Sequence, residues 1–62
     1  MLKHNNQAKF YIQAIIDYQR QIAMVSPSQI EIVTLFVLEQ LKGVGYVKEH
    51  QHLIKKLLQS PD

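Results

Sequence analysis

Val25-Ser26-Pro27-Ser28-Gln29-Ile30 is the stretch on which the reading of this chain turns. Taken as N′, N-cap, N1, N2, N3 and N4, every position has a mechanism that starts a helix. The Ser26 hydroxyl is placed to accept from the Gln29 amide, and the Gln29 side chain to reach back to the Ser26 amide, which makes a capping box. Pro27 stands at the first helical position, where its fixed φ suits the helix and its missing N–H is no loss. Val25 and Ile30 are spaced to close over the junction as a hydrophobic staple. On this reading Ser26→Ala destabilises the chain by about 1 kcal/mol.

Forward from that cap, an apolar pattern runs to Lys42, where Gly43 supplies a natural left-handed stop. Ile30, Val33, Val37 and Leu41 recur at helical spacing with Phe36 beside them, and are expected to face inward. Ile32, Leu35 and Leu38 fall on other sides, among Glu31, Thr34 and Glu39. A helix that is apolar nearly all round is normally buried nearly all round, so this segment is expected to be the central one.

Backward from the cap, Ile12, Ile15, Ile16, Ile22 and Ala23 form a stripe that includes Gln19 and is widened by Tyr11 and Tyr18. Lys9, Gln13, Asp17, Arg20 and Gln21 occupy the rest of the circumference, and Phe10 falls outside the stripe beside Ala14 and Asp17. The last segment sets Val47, His50, Leu53, Ile54, Leu57 and Leu58 against Lys48, Glu49, His52, Lys55, Lys56 and Gln59. The expected fold class is therefore all-α. Three short helices, at about 6–24, 27–42 and 46–59, make a helical hairpin or bundle, with frayed ends at about 1–5 and 60–62.

Sixty-two residues suffice for a single small helical domain, 1–62, which buries only about 60% of the surface its unfolded chain exposes. With no cysteine there is neither a disulfide nor a thiolate metal site, so stability must come from packing. Absent cysteine also fits a reducing compartment, and the polar start Met1-Leu2-Lys3-His4-Asn5-Asn6 is not a signal peptide, so a cytoplasmic location is expected. The longest near-continuous apolar run, Ile32 to Leu38 interrupted by Thr34, falls far short of the ~20 residues of a membrane span. Seven basic and five acidic side chains give a net charge of +2, too mild to announce nucleic acid.

One segment nonetheless carries a nucleic-acid signature. Leu38-Glu39-Gln40-Leu41-Lys42-Gly43-Val44-Gly45 resembles the first helix and hairpin of the helix-hairpin-helix DNA-binding motif, in which a Leu-x-x-Leu helix end precedes a Gly-hydrophobic-Gly turn. That resemblance implies a small DNA-binding module, with the amides at Gly43 and Gly45 on a phosphate and Lys42 and Lys48 adding charge. The second half departs from the pattern, because Glu49 and His52 stand where the motif has a small and an aliphatic residue.

Glu49-His50-Gln51-His52 offers three metal donors in four residues, but positions i and i+2 of a helix point to different faces. No metal or other cofactor is expected. A catalytic nucleophile needs an adjacent base inside a cleft, and three short helices rarely enclose a pocket of ~300 Å³, so neither an enzyme nor a small-molecule substrate is expected. What the composition does emphasise is apolar surplus. Hydrophobic residues make up 47% of the chain, more than one small core can hold. Ile32, Leu35, Leu38, Phe10 and Tyr18 are the candidates to meet a protein partner or a second copy. The leading expectation is a small non-enzymatic interaction or regulatory protein, of adaptor, inhibitor or antitoxin type. DNA binding through the glycine turn is the alternative.

Overall fold

The computed structural model describes residues 4–60, those at 4–6 by their backbone alone. They form an all-α bundle of four helices: α1 (His4–Gln21), α2 (Ile30–Lys42), α3 (Val44–Glu49) and α4 (Gln51–Gln59), with a 3-10 turn at Pro27–Gln29 leading into α2. Of the ends expected to fray, 1–3 and 61–62 lie outside the described residues, while His4 and Asn5 already belong to α1.

The junction before α2 starts a helix, but not by a capping box. No side chain caps either the 3-10 turn or α2. The Gln29 amide donates at 2.8 Å to the backbone carbonyl of Ser26, three residues back. That tight turn satisfies the very N–H the Ser26 hydroxyl was expected to serve, and the hydroxyl pairs instead with that of Ser28 at 3.2 Å. Upstream, α1 stops at Gln21 rather than at residue 24, because Met24 takes a left-handed φ of +56° and the Val25 amide turns back to the Gln19 carbonyl.

Gly43 ends α2 as expected, with φ +98° and ψ 160°, while its amide donates to the Glu39 carbonyl. No hairpin follows. Val44 and Gly45 are the first two residues of α3, so the glycine turn that the helix-hairpin-helix resemblance requires is absent. The helix expected over 46–59 is broken at His50, whose backbone adopts φ −107° and ψ 17°. Its Nδ1 lies 2.9 Å from the Tyr46 carbonyl, which also accepts the His50 backbone N–H at 3.0 Å. A carbonyl only accepts, so Nδ1 carries the proton there.

Eight apolar side chains form the buried core: Ala8, Ile12 and Ile16 of α1, Ile30 and Leu38 of α2, Val47 of α3, and Ile54 and Leu57 of α4. As expected, α2 sits centrally, packing against α1, α3 and the 3-10 turn, while α1 packs against α2 and α4. One correction to the expected packing follows. Within α2 the inward row is Ile30–Thr34–Leu38, not Ile30–Val33–Val37–Leu41: Thr34 and Leu38 are wholly buried, Val33 and Val37 half-buried, and Leu41 exposed. The row turns toward Thr34 because Gln19, itself buried at the end of the α1 stripe, donates through Nε2 to Thr34 Oγ1 at 2.6 Å. A buried amide without a partner costs about 1–3 kcal/mol, enough to set the rotation of a short helix. At the far end Arg20 reaches α4, donating through Nη2 to the Leu58 carbonyl at 3.0 Å and through Nη1 to that of Ser60 at 3.5 Å.

Candidate interaction surface

Antiparallel pairing of α1 and α2 leaves a shallow groove between them on the side away from α4. About 360 Å³ of space is bounded by Tyr11, Ala14, Ile15 and Tyr18 of α1 and by Val33 and Val37 of α2, with Gln19 at its floor. None of its lining residues is charged. Two i, i+4 pairs adjoin its lining residues as ridges: Tyr18 of α1 with Ile22, which follows the helix end and whose amide still donates to the Tyr18 carbonyl, and Ile32–Phe36 on α2. All four ridge side chains are more than half exposed, with Ile22 at 68% and Phe36 at 60%. Charge is placed elsewhere: Lys9, Asp17 and Lys56 line a separate depression between α1 and α4, where Gln13 donates to Asp17 at 2.9 Å.

Of the side chains proposed from the sequence to meet a partner, Ile32, Phe10 and Tyr18 are exposed. Leu35 is half-buried against the core. Leu38 is wholly buried and is a core residue, which removes it from any docking surface. Tyr18 and Ile32 stand on the two ridges, whereas Phe10 precedes Ala14 by one turn and lies at the outer margin of α1. Phe36 was the residue sequence reasoning misplaced, since it sat beside an inward row that proved to be rotated. The Thr34 hydroxyl was the available signal: an i, i+4, i+8 row through Ile30, Thr34 and Leu38 becomes the favoured one once Gln19 is granted a partner.

The residues offered for DNA binding do not form a unit. Lys42 folds back over the aromatic rings, with Nζ 5.0 Å from the Tyr11 centroid and 5.7 Å from that of Tyr46, within cation–π range. Lys48 is exposed on α3, and Gly43 and Gly45 belong to a helix stop and a helix body. Around Lys42 the aromatic groups pack closely: Tyr11 and Tyr46 meet edge to face at 6.4 Å, and Tyr46 lies against the His50 ring at 4.1 Å. Burial, with Tyr11 and Glu49 nearby, raises the Tyr46 hydroxyl above its ordinary pKa.

Among the described residues no three histidines or carboxylates converge where they could hold a metal ion. No helix of theirs is long and apolar enough to cross a membrane. Another depression, of about 870 Å³, is an open trough between the 3-10 turn and the end of α4, lined in part by Arg20, Ser26, Glu31 and Lys55. This and the α1–α2 groove exceed the ~300 Å³ thought out of reach for so small a bundle, but both open to the surface rather than being enclosed. Compared with known proteins, the chain matches no protein-family model, no curated protein and no solved structure.

Proposed function

We propose that this chain is a small non-enzymatic protein–protein interaction or regulatory protein, of adaptor, inhibitor or antitoxin type, acting through the apolar face that α1 and α2 share. The observation that carries the reading is the uncharged groove with an exposed apolar ridge on either side. Interfaces are depleted of charge at their centres and enriched in aromatic residues, and Tyr11, Tyr18 and Phe36 supply those here. Contiguous apolar patches of this kind are uncommon on chains that work alone.

A photo-activated cross-linking residue placed at position 36 in the native host tests the reading, with position 51, exposed on α4, as the reference. Covalent adducts with protein at position 36 and few at position 51 are expected. Equal adducts at both positions, or none at either, overturn it.

A further inference from the structure

We infer that the occupant of the α1–α2 face is a second copy of this chain, related by a two-fold axis, with the Ile32–Phe36 ridge of each copy seated in the groove of the other. The inference deepens the interaction reading and rests on it. A two-fold interface must be complementary to itself, so one face has to carry both the projecting and the receiving element. This face does. Phe36 follows Val33 by three residues and precedes Val37 by one, so the ridge adjoins the groove that those valines line. Ala14, exposed on the groove wall, presents only a methyl group and lets an incoming helix approach closely.

Size supports the same occupant. With Tyr18, Ile22, Ile32 and Phe36 each more than half exposed, the ridges offer on the order of 100 Å² apiece, and the groove walls raise the face to roughly 700 Å². A standard stable interface takes about 800 Å² from each partner. Because the groove carries no charge, two copies of a chain of net charge +2 meet there without apposing like charges. A partner chosen for opposite charge would find nothing to read. Chains this short, without disulfide or metal, commonly complete their core by association.

Sedimentation velocity on the full chain, from micromolar to near-millimolar concentration, tests the pairing. The wild type is expected to approach twice the 7.2 kDa mass of one chain as concentration rises. Phe36→Asp is expected to weaken association at least about tenfold while keeping its helical circular dichroism, since this exposed ring lies outside the buried core. Val44→Asp, at a comparably exposed apolar position on α3, is expected to associate as the wild type does. A wild type that stays monomeric throughout the range overturns the inference, as does a Phe36→Asp chain that dimerises unchanged. Should Phe36→Asp lose its helices, a benzophenone at position 36 in a mixture of isotopically light and heavy chains decides. Adducts between copies at Tyr18, Val33 or Val37 support the pairing, and any other distribution of adducts opposes it. A monomeric wild type whose position 36 still cross-links to another host protein overturns the second copy and leaves the interaction reading standing; a monomer with no adducts removes both.

Discussion

The Gln19 side chain reaches from α1 to the Thr34 hydroxyl of α2 across 2.6 Å, and both residues are almost wholly removed from solvent. It is a polar contact between side chains inside an otherwise aliphatic core, and the Gln19 Oε1 atom has no partner of its own. Losing one member of such a pair strands the other. Thr34→Val is expected to cost about 1–3 kcal/mol, whereas Gln19→Met with Thr34→Val is expected to be near neutral or stabilising, because both polar groups leave together. Urea unfolding of the two single variants and the double variant checks this. If the double variant is as unstable as the sum of the singles, the contact is not what holds α2 in its rotation.

The two glycines of the Gly43-Val44-Gly45 segment are expected to respond in opposite directions. Gly43 has φ +98° with ψ 160°, a region essentially closed to other residues, so Gly43→Ala should destabilise by about 1–3 kcal/mol. Nothing lies within 4 Å of an added methyl group there, so the whole effect is backbone strain. Gly45 has open space and sits inside α3, so Gly45→Ala should stabilise by about 0.5–1 kcal/mol. Thermal melts of both variants decide. A phosphate-binding glycine turn would instead be harmed by either change.

At the start of α2, Ser26→Ala is expected to cost no more than a few tenths of a kcal/mol, well below the ~1 kcal/mol of a working cap, since no capping bond is made. Two residues earlier, Met24→Gly should gain about 1 kcal/mol, because glycine adopts the left-handed φ of +56° without a Cβ clash. Met24 is 74% exposed, so its side chain gives up little packing. Guanidinium denaturation midpoints compare the two.

Alkaline pH should act through Tyr46. Its hydroxyl titrates above the ordinary value of 10.0, mainly because burial disfavours the phenolate. A group whose folded pKa is raised contributes stability that is complete below its unfolded pKa and is lost as pH rises through the folded one. Wild type should therefore lose stability relative to Tyr46→Phe as pH rises past about 10. Melting temperatures across that range check the sign; parallel curves for the two proteins would discard the assignment.

How much of this was legible in the sequence divides along a physical line. Helix ends set by backbone conformation could be read from one residue: Gly43 stops α2 because few other residues tolerate its φ. Period and composition likewise fixed the all-α class, the buried row of α4 and Ile12 and Ile16 of α1, whereas Ile22 and Ala23 of the expected α1 stripe lie past the helix end and are exposed. Rotation of α2 could not be read, because that helix is apolar on nearly every side and its inward row was decided by a hydrogen bond to another helix. For the same reason Leu38 was placed outside and Phe36 inside. The break at His50 was hidden too, since an imidazole bonding its own helix backbone leaves the apolar spacing unchanged. Of the proposed surface, Tyr18 and Ile32 were found by surplus alone. The groove between the ridges needed both helices in place.

Arg20 has a consequence in time as well as in space. Its bonds to the Leu58 and Ser60 carbonyls join residues 38 and 40 positions apart, whereas α1 with α2, and α2 with α3, are joined by elements adjacent in the chain. Nearby partners find each other before distant ones, since closing a longer loop loses more chain entropy. On that ground α2 with α3, and then α1 with α2, are expected to pair before α4 docks on α1. The Arg20 guanidinium, clasping the end of α4, adds to the buried Ile54 and Leu57 in keeping that last-docked helix closed.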